Sequence, residues 1–226
     1  MNFILPFLLL IQFSSYSKYQ NYKPSVVDPC AGYMICQNFE GTGYDNAETW
    51  TGGTGVNADY TTTVLRGSQS LQMSAGALIA PTIVASGTVY GHFMFRCSDA
   101  TPAGTRTIVR LENSVPAELA EIHIRTTGYI RGEHGSVYGT DAANQLADNT
   151  TYHFWFHYSK GTGLNGVLEI WQGTTADRAS ATKIVNVTTG TSTGDVVYLY
   201  MYGNTTESMV FDQIILDETA FLTVPQ

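Results

Sequence analysis

The sequence has little charge. Only 13% of its 226 residues are Asp, Glu, Lys or Arg, and the cations are the scarcer sign: 11 Lys and Arg stand against 19 acids, for a formal net charge of -8. That balance argues against nucleic acid or an anionic membrane as the main partner, because both are recognised by clustered Lys and Arg. Cysteine is scarce as well, with three residues and neither a CxxC nor a Cys/His pattern of zinc spacing. Cys30 and Cys36 are close enough in sequence to close a small loop in an oxidising compartment. Cys97 is then left over in the apolar segment GHFMFRC, where a buried thiol is expected. The chain has no long segment of 3.6-residue apolar period and no obvious internal repeat. The apolar run ILPFLLLIQF near the N-terminus is too short to span a bilayer as a conventional helix.

That run, with the small residues SSYS behind it, fits a secretory signal peptide over residues 1–17. MNF in front of it carries no Lys or Arg, so the α-amino group is its only positive charge. Residues 18–32 read as a polar linker with two prolines, and residues 33–226 as one domain. The expected location is therefore secreted or cell-surface. Sequons stand at Asn149, Asn186 and Asn204.

What the chain has in quantity is Gly (22), Tyr (14) and a great deal of Thr. These residues favour strands and turns. Short alternating segments follow one another from Tyr33 onward: MICQNFEG, SQSLQM, ALIAPTIV, TVYGHFMFRC, GTRTIVRLEN, AELAEIHIRTTGYIRGEHGSVYG, TKIVNVTTG, DVVYLYMYG and MVFDQIILDETAFL. VPAELAEI also reads as a helical turn, but its continuation is strand-like. The even spacing and Gly-rich turns predict an all-β antiparallel sandwich or barrel. The centre of the pattern is TYHFWFHYSKGTGLNGVLEIWQG, in which residues 152–158 are all aromatic or His. Alternation puts Tyr152, Phe154, Phe156 and Tyr158 on one face and His153, Trp155 and His157 on the other. SKGTGLNG then carries Asn165-Gly166, a strong hairpin signal.

Taken together, FEGTGYDN, GTRTIVRLEN, the EIHIRTTGYIRGEHGS pair, the aromatic hairpin and the closing VFDQIILDETAF resemble the concanavalin A-like lectin/glucanase jelly rolls, laminin G-like modules included. The resemblance covers roughly residues 33–222. It implies a two-sheet jelly-roll β-sandwich. It does not select among the functions the fold hosts, which are lectins, hydrolases, lyases and adhesion modules.

Strand alternation sorts the remaining candidates. It sends Thr107, Val109 and Leu111 inward and Arg106, Arg110 and Glu112 outward, and it sends Ile122 and Ile124 inward and Glu121, His123 and Arg125 outward. Tyr198, Tyr200 and Tyr202 point away from Leu199 and Met201. If these strands share a sheet with β-strand residues His153, Trp155 and His157, the outward set forms a groove. Its rings would stack on sugars, and Arg and His would donate to hydroxyls or carboxylates. The expected carbohydrate-binding residues are thus Arg106, Arg110, His123, Arg125, His153, Trp155, His157, Tyr198 and Tyr200. No catalytic residue is assigned. The Glu-x-Asp-x-x-Glu pattern of laminarinase-type relatives is absent. Arg106, Arg110, Glu112 and Glu121-Ile122-His123 follow the order, without matching the motifs, of alginate-lyase-like relatives. There Glu121 stands where those relatives carry Gln, and it would repel a substrate carboxylate. The resemblance also implies a structural calcium between Glu40 and Asp212. The leading expectation is an extracellular polysaccharide-binding domain. A lyase or glycoside hydrolase acting on an acidic polysaccharide is the second, and a structural or adhesive module of an extracellular assembly or virion is the third.

Overall fold

The computed structural model describes residues 33–40, 50–115, 117–139 and 145–221. The expected signal peptide, the linker and Cys30 lie outside these. The described strands, in chain order, are β1 (Ile35–Gln37), β2 (Thr51–Gly52), β3 (Val56–Tyr60), β4 (Ser70–Met73), β5 (Ala77–Ile79), β6 (Thr88–Cys97), β7 (Arg106–Glu112) and β8 (Glu118–Ile124). They continue with β9 (Ile130–His134), β10 (Val137–Tyr138), β11 (Tyr152–Ser159), β12 (Gly166–Gly173), β13 (Thr182–Gly190), β14 (Tyr198–Tyr202) and β15 (Met209–Asp217). One short 3-10 turn, Arg178–Ser180, separates β12 from β13.

The strands form two antiparallel sheets packed face to face. The first runs β13-β12-β11-β6-β15-β4-β3, with β1 also alongside β15, and the second runs β10-β9-β8-β7-β14-β5-β2. The ELAEI of VPAELAEI lies in strand β8, and AELAEIHIRTTGYIRGEHGSVYG, expected to give two strands, gives three, β8 to β10. β2 and β3 lie in a Gly- and Thr-rich stretch with too little alternation to be read as strand.

The core lies where alternation puts it. Tyr152, Phe154, Phe156 and Tyr158 of β11 are buried between the sheets with Phe93, Phe95 and Phe211. Val109, Ile122, Ile124, Leu199 and Met201 meet them from the second sheet. Each such side chain contributes about 1.5–3 kcal/mol by leaving water. Phe156 needs space on the adjacent strand, and Gly91 supplies it. The two are register partners, and a Cβ at Gly91 would fall 2.0 Å from the Phe156 ring. His134 also lies inside, stacked on Tyr158 at 4.9 Å between ring centroids. The Ser192 N–H donates to its Nδ1 at 3.3 Å, so its proton sits on Nε2 and is donated to the Ser159 carbonyl at 3.0 Å. Cys97 is a free, buried thiol, and Cys36 is disulfide-bonded.

Two face assignments, of Thr107 and Arg106, are corrected. A register shift between Thr107 and Val109 lets both Ile108 and Val109 enter the core, and Thr107 turns outward, where its Oγ1 lies 3.3 Å from His123 Nδ1. A bulge inserts an extra residue, which strict alternation cannot anticipate.

Candidate functional site

The outer face of the second sheet gathers polar and ring side chains from β14, β7, β8, β9 and β10. The ladder fixes who meets whom. Tyr200 pairs with Arg110, Arg110 with Glu121, Glu121 with Glu133, and Glu133 with Tyr138. One row therefore crosses five strands. A neighbouring row holds His123 beside Thr107 and Arg131, and another holds Tyr198 beside Glu112. Along β14 the rings form a ladder of their own, because Leu199 and Met201 take the core side. Tyr198 meets Tyr200 edge-on at 6.4 Å, and Tyr200 lies nearly parallel to Tyr202 at 6.1 Å. Arg125 follows β8 at its His123 end. Arg106 was expected on this face too, but the register shift pairs it with the core residue Ile124, so the ladder gives it the inward side at the start of β7.

Acids outnumber bases among these paired groups. Arg110 donates its Nε–H to Glu121, lies 3.4 Å from Glu112 and 3.7 Å from Glu118, and sits 5.1 Å over the Tyr202 ring. Burial works against its charge, but the hydrogen bond and charge of Glu121 outweigh it and hold the guanidinium above its ordinary value. Burial pushes the Glu118 and Glu133 carboxyls up, with the Glu121 charge adding to both, while a hydrogen bond with Tyr138 pulls Glu133 the other way. His123 Nε2 lies 3.3 Å from Glu121 Oε2 and 3.3 Å from Glu133 Oε2. Burial, then the Arg131 and Arg110 charges, lower its pKa to about 4, so the imidazole is neutral at physiological pH. Arg131 stacks 4.2 Å over the Tyr138 ring, which is 54% exposed and open to a ligand.

The expected groove is divided by the structure. Arg110, His123, Tyr198 and Tyr200 share the face just described, but His153, Trp155 and His157 belong to β11, in the first sheet, and look out on the opposite side of the sandwich. There Trp155 is wholly buried. It lies across the ladder from Trp171, and Ala176, Ala181 and Phe221 pack over the pair. Arg178 caps Trp171 at 4.0 Å and Phe221 at 4.3 Å. Alternation gives the face of His153, Trp155 and His157 correctly but not which sheet their strand joins, nor what later chain covers it. His153 Nδ1 lies 3.0 Å from His92 Nε2, and His92 Nδ1 reaches the Gln213 carbonyl at 3.1 Å. His157 Nδ1 lies 3.1 Å from Glu169, which also holds Lys183. A small cavity there is lined by Tyr90, His92, Trp155, Asp217 and Phe221.

Glu133, Arg131 and Tyr138 were not anticipated as site residues. Their signal is present in IRGEHGSVY: Arg131 and Glu133 alternate with the inward Gly132 and His134, which places them beside His123 and Glu121 once β8 and β9 are paired.

Glu40 and Asp212 lie near each other. Both oxygens of Glu40 accept from the Ser68 N–H, at 3.0 and 2.9 Å. Asp212 is fully buried at a register shift in β15, and accepts from the Arg66 N–H, the Ser70 hydroxyl and the Gln213 N–H at 3.1, 2.9 and 2.7 Å. Burial pushes its pKa up to about 7, against those three donors, and the Glu40 charge adds to the rise. A cation between the two carboxylates would offset that cost, so in charge and oxygen chemistry the pair fits calcium.

No family model and no curated protein sequence matches the chain. Solved structures do. An endo-β-1,4-glucuronan lyase from the fungus Trichoderma reesei superposes with a TM-score of 0.58 at 12% identity, over 85% of this chain and 98% of that one. The alginate lyase Aly36B, as a mutant in complex with alginate trisaccharide, gives 0.57 at 11% identity, over 84% and 99%. The receptor-binding domain of a botulinum neurotoxin, mosaic serotype C/D, gives 0.62 at 7% identity, over 85% of this chain and 48% of that one. The fold is a jelly-roll β-sandwich. Identities this low speak for the fold alone. Among the described residues no helix is long and apolar enough to cross a membrane.

Proposed function

We propose that the chain is an extracellular carbohydrate-binding jelly roll of the concanavalin A-like superfamily, and that a polysaccharide lies along the outer face of the second sheet. The observation that carries this reading is the Tyr198–Tyr200–Tyr202 ladder beside the Arg110, Glu121 and Glu133 row. Flat rings stack on sugar faces at little entropic cost, and fixed carboxylates and guanidiniums take up the hydroxyls. Several proteins of this shape being polysaccharide lyases supports the choice of ligand. The disulfide at Cys36 supports an oxidising, extracellular setting. The residues proposed to bind are Arg110, His123, Arg125, Tyr198 and Tyr200, joined by Tyr138 and Tyr202; Arg106 is left out because it shares the face of Ile124. Trp155 is left out because it is covered. Calcium at Glu40 and Asp212 would be structural, fastening the segment after β1 to β15.

The test is a panel of neutral and uronate-containing polysaccharides assayed for binding by affinity electrophoresis. Retention by at least one, lost in Tyr200→Ala with the fold intact, supports the reading. Retention by none leaves the structural or adhesive module.

A second reading, β-elimination on a polyuronate, is favoured by the neutral His123 standing on the same face as Tyr200. In that reaction a base takes the proton from the carbon bearing the carboxylate. The electron pair becomes the new ring double bond, and the glycosidic oxygen leaves with a proton from the enzyme. His123 would be the base and Tyr200 the acid. Unsaturated products absorbing in the ultraviolet, abolished by His123→Ala, would establish it.

A further inference from the structure

We infer that Glu121, His123 and Glu133 bind a divalent transition-metal ion, zinc or manganese, whose open positions take the carboxylate of an acidic polysaccharide. The second half rests on the carbohydrate reading above; the first half does not.

The geometry comes first. One ligand atom from each of the three residues lies within 4.8 Å of the other two. His123 Nε2 is 3.3 Å from each carboxylate oxygen. A tetrahedral ion with ligands at about 2.1 Å has ligand-to-ligand edges of roughly 3.4 Å. The two 3.3 Å edges at His123 therefore already match a shared ion. Imidazole with two carboxylates is a donor set suited to zinc or manganese, and less to calcium, which prefers oxygen alone.

Convergence comes second. His123 Nε2 and one oxygen each of Glu121 and Glu133, three acceptor-capable atoms, turn toward one point. A cation satisfies all three at once.

Support from behind comes third. Each candidate ligand has an outer partner of the kind that orients metal ligands. Arg110 holds Glu121 through Oε1 and leaves Oε2 toward His123. Thr107 stands behind the His123 ring. A hydrogen bond joins Tyr138 to Glu133. The three side chains belong to adjacent strands, β8 and β9, with Glu121 and Glu133 in direct register, so little ordering is left for the ion to bring about.

The metal also removes an obstacle. Glu112, Glu118, Glu121 and Glu133 would repel a polyuronate, and Arg110 is committed to its own carboxylates. A divalent ion with three protein ligands keeps a position for an outside oxygen. It thereby turns the most acidic spot of this face into one that attracts a carboxylate.

The experiment is calorimetric titration of the chelator-treated full chain with Zn²⁺, and separately with Mn²⁺. It compares wild type with Glu133→Gln, His123→Ala and, as a carboxylate control on the opposite sheet, Glu169→Gln. Circular dichroism checks the fold of each. The expected result is one strong site per chain in wild type and Glu169→Gln, weakened at least tenfold in Glu133→Gln and His123→Ala. No strong site in wild type, or equal affinity in all four folded proteins, overturns the inference. Polygalacturonate binding is then measured with and without the ion. Binding that needs the ion in wild type, and is not restored by it in Glu133→Gln, supports the substrate half. Polysaccharide binding indifferent to the ion overturns that half and leaves the carbohydrate reading standing. Ion binding with no polygalacturonate bound leaves the metal site standing and overturns the substrate half; the carbohydrate reading itself is decided by the wider panel.

Discussion

Trp155 lies directly across the β11–β12 ladder from Trp171, on the side of the sheet that faces away from the main core, yet it is the more deeply buried of the two. Its shelter is local: Ala176 and Ala181 from the segment around the 3-10 turn, and Phe221 beyond β15. This outer cluster fastens Phe221, beyond β15, to the first sheet. Trp155→Ala should cost about 3–5 kcal/mol, the range for truncating a large buried aromatic, measured as a fall in the urea midpoint. Trp155→Phe should cost much less. The indole N–H is buried with no hydrogen-bond partner among the described residues, so Phe gives up volume but also removes an unsatisfied donor. Equal losses for the two variants would show that the volume removed does not decide the cost.

The four His residues with resolved shifts all titrate below their ordinary range, and two of them touch. Burial, then the His153 charge, lowers His92 to about 3; burial, then the Arg66 charge, lowers His153 to about 4. Trp155 packs on both rings, at 5.0 and 5.7 Å. In the unfolded chain both titrate near 6.5. Between those values the unfolded state binds more protons than the native one, so stability rises with pH. The contribution is complete above about pH 6.5 and is lost as pH falls toward 4 and then 3. Urea unfolding between pH 7 and pH 5 should show this slope, reduced by the opposite contribution of Asp212, whose buried carboxyl holds its proton in the native state over part of the same window. It should flatten in His153→Gln if that variant keeps its contact with His92.

How much of this was legible from sequence depends on the range of the interaction. Period-two alternation is local, and it placed Phe154, Phe156, Ile122, Ile124, Val109 and Leu199 inside without error. Thr107 escaped it because a register shift adds a residue that no composition signal marks. The separation of His153, Trp155 and His157 from His123 and Tyr200 is a matter of sheet membership. β11 pairs with β6, some 60 residues earlier, and β14 with β7, nearly 90 earlier, by loop closures that cost little more as they lengthen. Nothing in a strand's own residues names so distant a partner. The Glu121–Glu133 pairing was closer to hand, since β8 and β9 are joined by a short turn at Thr127-Gly128, where Gly128 takes the positive φ a tight reversal needs.

The proposed calcium site makes a separate forecast. Glu40 follows β1, Asp212 lies within β15, and the two meet through Arg66, Ser68 and Ser70 before β4 and at its start. A cation there would join three distant stretches of chain and would stabilise by mass action. Chelation should lower the melting temperature, and calcium at 100 times its dissociation constant should restore about 2.7 kcal/mol. Asp212→Asn should abolish the response to calcium while leaving zinc binding at Glu121, His123 and Glu133 unchanged. A melting temperature indifferent to calcium in the wild type would remove the site.

The final expectation concerns the tyrosine ladder. Tyr200 stands at its centre, between Tyr198 and Tyr202 and across the β7 strand from Glu121, so a ligand lying along β14 must cross it. Its hydroxyl is tied to Glu112, and burial, then the Glu112 charge, hold that hydroxyl above its ordinary pKa. The ring is therefore oriented before any ligand arrives. Tyr200→Ala should weaken polysaccharide binding by about 1–3 kcal/mol, the scale of one large apolar contact removed from water, which is roughly 5- to 150-fold. Tyr200→Phe should keep most of the affinity, because stacking uses the ring, whereas in an eliminating enzyme it should cost turnover, because the hydroxyl is the proton donor. Salt separates the neighbouring contributions. The loss on Arg110→Ala should shrink as ionic strength rises, and the loss on Tyr200→Ala should not. Isothermal titration of one polysaccharide against these variants at low and high salt decides the matter. Affinity unchanged by Tyr200→Ala would move the binding face away from β14.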